Sequence, residues 1–128
     1  MSSFFVMFST DPEVDPRKCA VGLACAAQAV DEGHEVNVFF ASHSVRLLHK
    51  EFIGNLDAAV GMPGGACRGL LDALISGATI SCSTGSQAIV GVTPENASEV
   101  LVDTDNLNWS GPPGVGALSA AADICLSF

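Results

Sequence analysis

Apolar residues fall along this chain in short blocks of two kinds, continuous runs and runs spaced at three and four residues. Residues 3–9 form a continuous run containing Phe4, Phe5, Val6, Met7 and Phe8, closed by Ser9-Thr10-Asp11-Pro12. That pattern predicts a buried first strand and a loop. Asp15 then stands as N-cap with Pro16 at the first helical position, and Gly33 as the stop. The spacing predicts a helix over 17–32 with Ala20, Leu23, Ala24, Ala27 and Val30 as its buried stripe. Gly22, Ala26 and Ala29 leave room for close approach to a sheet. A second strand is predicted over 36–41, so strand, helix and strand joined by short links imply a parallel pair.

Residues 45–52 predict a short helix, with His49 on no assignable face, and 54–65 read as loop because of Gly54 and Met62-Pro63-Gly64-Gly65. Leu70, Leu71, Leu74 and Ile75 predict a helix over 67–76, stopped by Gly77. Ala78 to Cys82 predicts a strand, Ser83-Thr84-Gly85-Ser86 a tight turn, and 87–91 a short helix. Thr93-Pro94 reads as an N-cap with Pro at the first helical position, while 96–102 fits helix and strand equally. A polar loop over 103–108, a turn over 110–114, a helix over 115–122 and a last strand over 123–128 complete the chain. Strands alternate with helices, and neither a repeat nor a linker interrupts them. The expected fold is a single domain over 1–128, a three-layer α/β sandwich around a mostly parallel sheet of about five strands.

Composition adds one expectation. The chain is 48% hydrophobic and only 15% charged, so part of its surface is expected to pack against copies of itself. The net charge is −9, and every Lys and Arg lies at or before Arg68. That argues against nucleic acid and against anionic membranes, both of which require clustered cations. No run approaches the ~20 apolar residues of a membrane span, and the first residues read as a strand rather than a signal peptide. The triplets Asn96-Ala97-Ser98 and Asn108-Trp109-Ser110 are therefore read as chance.

The candidate chemistry lies in the cysteines. There are five, at 19, 25, 67, 82 and 125, with no C-x-x-C pair. No metal site or thioredoxin motif is implied, no dinucleotide or Walker loop is present, and no cofactor is expected. Reduced thiols and a cytoplasmic location are the simplest account. Cys82 falls where a strand ends and a helix begins. A free thiol titrates near ~8.5, and helix N-termini lower that to roughly 3.5–7.5. Cys82 is thus the candidate nucleophile, with the amides and hydroxyls of Ser83, Thr84, Gly85 and Ser86 as stabilising dipoles. Cys67 opens the preceding helix on the same predicted sheet edge and is a possible resolving thiol. Cys19, Cys25 and Cys125 read as small core residues. His43, after the second strand, is a weaker site candidate at the edge where open α/β sheets bind ligands.

Four features together resemble the DsrE/DsrF-like family of sulfur-relay proteins, which includes the DsrE and TusD subunits. They are the Phe4–Phe8 strand with the helix ending Asp31-Glu32-Gly33-His34-Glu35-Val36; Val38-Phe39-Phe40; Cys82 followed by a helix and Gly91-Val92; and Gly114-Val115-Gly116-Ala117-Leu118 with Asp123 and Phe128. The resemblance runs in order over nearly the whole chain. It implies that Cys82 accepts sulfur as a persulfide and passes it to a partner's cysteine. It also implies a homotrimer or hexamer and a sulfur donor or acceptor protein. The turn after Cys82 departs from the family, which has an Ala-rich helix start there. The rival readings are a thiol redox enzyme or sensor using Cys82 with Cys67, and a non-catalytic small-ligand-binding oligomer.

Overall fold

A computed structural model describes residues 1–102 and 105–128, so the predicted loop over 103–108 lies partly outside the described residues. Five strands form one sheet: β1 (Ser3–Phe8), β2 (Glu35–Phe40), β3 (Thr79–Ser83), β4 (Asn108–Ser110) and β5 (Ile124–Ser127). Their order is β4-β3-β2-β1-β5, and every pairing is parallel. The helices are α1 (Pro16–Asp31), α2 (Lys50–Val60), α3 (Ala66–Gly77), α4 (Thr84–Ile89), α5 (Ala97–Val100) and α6 (Pro112–Ala121), with a 3-10 segment over Ser42–Leu48. The three-layer α/β sandwich expected from the alternation is the observed fold.

The period of two along each strand sorts the two faces of the sheet. Val6 and Phe8 pair in register with Val38 and Phe40, which pair with Ile80 and Cys82. These residues share the main core with Cys19, Leu23 and Ala26 of α1, Ile53 and Leu56 of α2, and Leu71 and Leu74 of α3. The opposite face, carrying Met7, Phe39 and Ser83, meets α6. No residue of α6 is fully buried, so that layer is thin and apolar side chains remain partly open on it.

Asp15 caps α1 through its carboxylate, which accepts from the Lys18 N–H at 3.1 Å. The buried stripe is rotated from the predicted one. Cys19, Ala20, Gly22, Leu23, Ala26 and Ala29 are buried, so Ala20 and Leu23 stand as predicted, while Ala27 and Val30 are half-buried and Ala24 is exposed. Two glycine-lined approaches set this rotation, Gly22 against Phe8 and Phe128, and Gly77 against Val30. The predicted loop over 54–65 is corrected, because α2 fills most of it. Ile53 and Leu56 anchor that helix in the core, and it ends at Gly61 in the left-handed conformation with φ 71°. The short helix predicted over 45–52 is split between the 3-10 segment and the start of α2. Thr93-Pro94 opens a turn instead of a helix, with the Thr93 N–H donating to Asn96 Oδ1 at 2.8 Å. The ambiguous stretch after it holds the short α5. The polar stretch before Gly111 supplies β4, a three-residue edge strand.

Candidate functional site

Cys82 sits near the C-terminal end of β3, aligned with Phe40 of β2 and Trp109 of β4. The next residue, Ser83, both ends the strand and caps α4. Its Oγ accepts from the Ser86 N–H at 3.1 Å. The helix therefore starts at Thr84, without the predicted intervening turn and three residues earlier than expected. Even positions of β3 point to the main core, so Cys82 does too, and it is 0% exposed. Burial pushes its thiol up to about 12, while a hydrogen bond from the Gln87 side chain acts in the opposite sense. This overturns the expected lowering at a helix start. Desolvation dominates, and the side chain that acts to lower the thiol is Gln87 rather than Ser83–Ser86.

Gln87 is itself 0% exposed. Its amide Nε2 donates to the Val45 carbonyl at 3.4 Å, and its Oε1 lies 3.0 Å from His49 Nε2. An amide oxygen only accepts, so the histidine nitrogen facing it carries the hydrogen. His49 is half-buried at the junction of the 3-10 segment and α2. Its backbone is fixed on three sides: its N–H donates to Arg46 O at 2.9 Å, its C=O accepts from Ile53 N at 3.0 Å, and it bridges to Leu101. The residue lines a recess of about 310 Å³ together with Lys50, Glu51, Glu99 and Val100. Gln87, on the helix that follows Cys82, is thus tied to His49, which lines this recess. Neither Gln87 nor His49 was singled out from the sequence as a site residue. The available signal was a lone amide directly before the apolar run Ala88-Ile89-Val90.

The remaining predicted residues are dispersed. Cys67 is buried at the start of α3, and its surroundings are those of a structural helix start. Asp57 of α2 accepts from the Cys67 N–H at 2.7 Å and the Gly65 N–H at 3.0 Å, and the thiol sits 3.8 Å from Met62 Sδ. Burial first, then the bond to Asp57, raises that thiol to about 12. All five cysteines are free, and the polar contacts of Cys67 and Cys82 do not meet. Cys19 is buried as expected, and burial with Asp15 and Asp11 nearby raises it to about 11. Cys25 and Cys125 are exposed, against expectation. Cys25 lies off the rotated stripe of α1, and Cys125 lies on edge strand β5, where its thiol donates to the Ser119 carbonyl of α6 at 3.6 Å but stays exposed.

His43 is exposed and borders a recess of about 220 Å³ with Ser42, Ser86, Ile89 and Val90. Ser42 holds φ at 54°, and its N–H donates to Ser86 Oγ at 3.0 Å. Ser83 borders a larger recess of about 430 Å³ on the α6 face, with Met7, Phe39, Ala41, Pro112 and Val115. That recess is not built for an anion. Pro112 and Pro113 lack N–H groups, and the Gly114 and Val115 N–H groups both donate to Gly111 O. Among the described residues no cluster of His, Cys, Asp and Glu has metal-binding geometry. Among them, too, no helix is long and apolar enough to cross a membrane.

No family model and no curated protein matches this chain. Solved structures do. The YchN protein of E. coli superposes over 100% of both chains, with a TM-score of 0.73 at 14% identity. A conserved protein of unknown function from Bacteroides thetaiotaomicron superposes over 99% of this chain and 95% of its own, with a TM-score of 0.58 at 20% identity. The class of protein thus defined is one of fold: a three-layer α/β sandwich like that of YchN.

Proposed function

We propose that the chain is a sulfur-relay protein that accepts sulfur on Cys82, stored as a persulfide in a sealed resting state. The observation that carries this reading is the wiring of the Cys82 thiol. The helix that follows Cys82 carries a fully buried amide, Gln87, that is held by a histidine and counteracts the effect of burial on the Cys82 thiol. Burying such an amide is costly unless every bond is made, so its placement beside a thiol at the C-terminal sheet edge points to use. The resemblance of the sequence to the DsrE/DsrF-like sulfur-relay family supports sulfur transfer as the reaction class. The Cys82 thiolate attacks the outer sulfur of a donor R–S–SH. An S–S bond forms to Cys82, the donor S–S bond breaks, and R–S⁻ leaves. An acceptor thiolate then attacks that outer sulfur and releases the Cys82 thiolate, so no external oxidant or reductant enters.

The thiol must be uncovered for this to happen. Helix α4 is the element to move, being six residues long with Ile89 at 84% exposure. The partners in this reading are a donor or acceptor protein and further copies of the chain. The open apolar α6 layer supports a homotrimer or hexamer, which light scattering on the purified protein tests directly. Free thiols throughout suit a cytoplasmic setting. The function is tested by intact mass after exposure to polysulfide. The wild type is expected to gain one sulfur that Cys82→Ser does not, and equal gain in both would refute the reading.

A second reading, a small-ligand-binding oligomer, is favoured by the recess of about 430 Å³ across the ends of β1, β2 and β3. Its apolar lining and donor-free helix start suit a neutral apolar molecule. Saturable Nile red fluorescence that Val115→Trp abolishes would support it, and fluorescence unchanged by that substitution would dismiss it.

A further inference from the structure

Resting on the Cys82 reading, we propose that Ser42 and Ser86 form a strained clasp that holds α4 closed at the Cys82 end of β3, and that release of this clasp is the step that opens the site. The clasp is one hydrogen bond. The Ser42 N–H donates to Ser86 Oγ at 3.0 Å, joining the chain just after β2 to the middle of α4. Among the described residues Ser42 is the one non-glycine with a positive φ, at 54°. In that region Cβ crowds a backbone carbonyl, so a residue other than glycine stays there only while its surroundings hold it. Ala41, immediately before it, is fixed, because its N–H donates to Phe8 O at 2.8 Å and to Ser44 Oγ at 3.1 Å. The strain is therefore local to Ser42, the residue that makes the bond.

The clasp is also the outermost tie on α4. The ties through Gln87, to Val45 O at 3.4 Å and to His49 at 3.0 Å, start from a side chain that is 0% exposed. The Ser42–Ser86 bond instead lies at the recess of about 220 Å³ that both residues line with His43, Ile89 and Val90. The helix is bounded for a movement as a unit, by the Ser83 cap at one end and by Gly91, at φ 85°, beyond the other. It packs against both β3 and the 3-10 segment, and Val45, Leu47 and Leu48 of that segment belong to the same core cluster as Cys82. Lifting α4 from the segment opens the core on that side. Ser42 then loses its partner and returns to ordinary backbone, so the relief of strain offsets part of the lost bond.

Substitutions at the two ends of this bond should act in opposite directions. Ser86→Ala removes the acceptor but spares the α4 cap, which uses the Ser86 N–H and Ser83 Oγ. Ser42→Gly keeps the donor and removes the strain, a gain larger than the added freedom of glycine in the opened state. The readouts are the rate of methanethiosulfonate labelling at each cysteine, resolved by peptide mass, and hydrogen exchange over residues 84–91. Ser86→Ala is expected to raise the Cys82 rate and the exchange about fivefold, the equivalent of one exposed hydrogen bond. Ser86→Thr, which keeps a hydroxyl, should match the wild type, and Ser42→Gly should lower the Cys82 rate about threefold. Cys67 is the buried control and should not change. An unchanged Cys82 rate in Ser86→Ala, a parallel rise at Cys67, faster α4 exchange without faster Cys82 labelling, equal rates in Ser86→Thr and Ser86→Ala, a Ser42→Gly rate at or above that of the wild type, or no labelling of Cys82 in the wild type would each overturn the proposal. Sulfur uptake from polysulfide is read separately. Opposed labelling rates without sulfur gain keep the clasp and remove the relay, and sulfur gain on Cys82 with equal labelling rates does the reverse.

Discussion

Replacing Gly22 by alanine tests how α1 is seated on the sheet that carries Cys82. In an exposed helix interior the change would help, by roughly 0.5–1 kcal/mol, because glycine loses more backbone freedom on folding. Here the added Cβ would lie 2.5 Å from Phe8 Cε2, 2.7 Å from Phe128 Cγ and 2.9 Å from Phe128 Cβ. Phe8 is fully buried and stacked on Phe40 at 4.9 Å, so its ring has nowhere to go. Phe128 is tied on both sides, its N–H to Met7 O and its C=O to Ser9 N, each at 2.8 Å. Overpacking of this kind costs ~1–3 kcal/mol and outweighs the helix gain, leaving a net loss of about 1–2 kcal/mol. Each kcal/mol moves the midpoint by roughly 3–6 °C in a chain of this size. Thermal unfolding by circular dichroism should therefore show a lower Tm for Gly22→Ala. Gly54→Ala in α2 and Gly69→Ala in α3 are the controls, since an added Cβ meets nothing within 4 Å at either, and both should raise Tm. A rise for Gly22→Ala equal to that of the controls would refute the packing argument.

Ser83→Ala removes the cap of α4 and should cost about 1 kcal/mol, read as a lower Tm, whereas Ser83→Asp should retain most of it. The Asp57 carboxylate is held below its ordinary value, first by the Cys67 N–H and also by the Gly65 N–H. A lowered folded pKa means that its contribution is complete above the unfolded value of ~3.9 and is lost as pH falls through the folded value. Wild type should thus exceed Asp57→Asn in stability at neutral pH, with the gap closing in acid, and a gap unchanged at pH 2 would contradict this. Ile89→Ser, at an 84% exposed position, should leave Tm unchanged and raise the Cys82 labelling rate if α4 is the moving element.

The fold was legible wherever local signals agreed. Asp15-Pro16 at one end and Gly33 at the other bracket α1, and Phe4–Phe8, Val36–Phe40 and Ile80–Cys82 are apolar runs that alternate with helical spacing. Failures arose where tertiary contacts decided. Gly54 weakens the propensity of α2, but Ile53 and Leu56 find partners in the core and the helix forms regardless. Asn108–Ser110 carries almost no strand signal and is recruited by pairing with Ser81–Ser83. The location of Cys82 at a strand end was readable, but its environment was not. Which face of β3 it occupies depends on register with β2, and the Gln87 contacts with His49 and Val45 form only where the 3-10 segment and α4 pack together. A one-residue shift would have turned the same thiol to the open α6 face. Cys25 and Cys125 show the converse, since small apolar residues carry little information about burial when a stripe rotates or a strand lies at an edge.

The most direct test of the sulfur-relay account is where sulfur lands when all five cysteines compete. Cys25 and Cys125 are exposed and are the acceptors that simple accessibility favours, while Cys82 is sealed. After brief treatment with limiting polysulfide, trapping of persulfides and peptide mapping should place the added sulfur on the peptide containing Cys82, and a small-molecule thiol should then remove it. Sulfur confined to Cys25 and Cys125, with none at Cys82, would contradict the account.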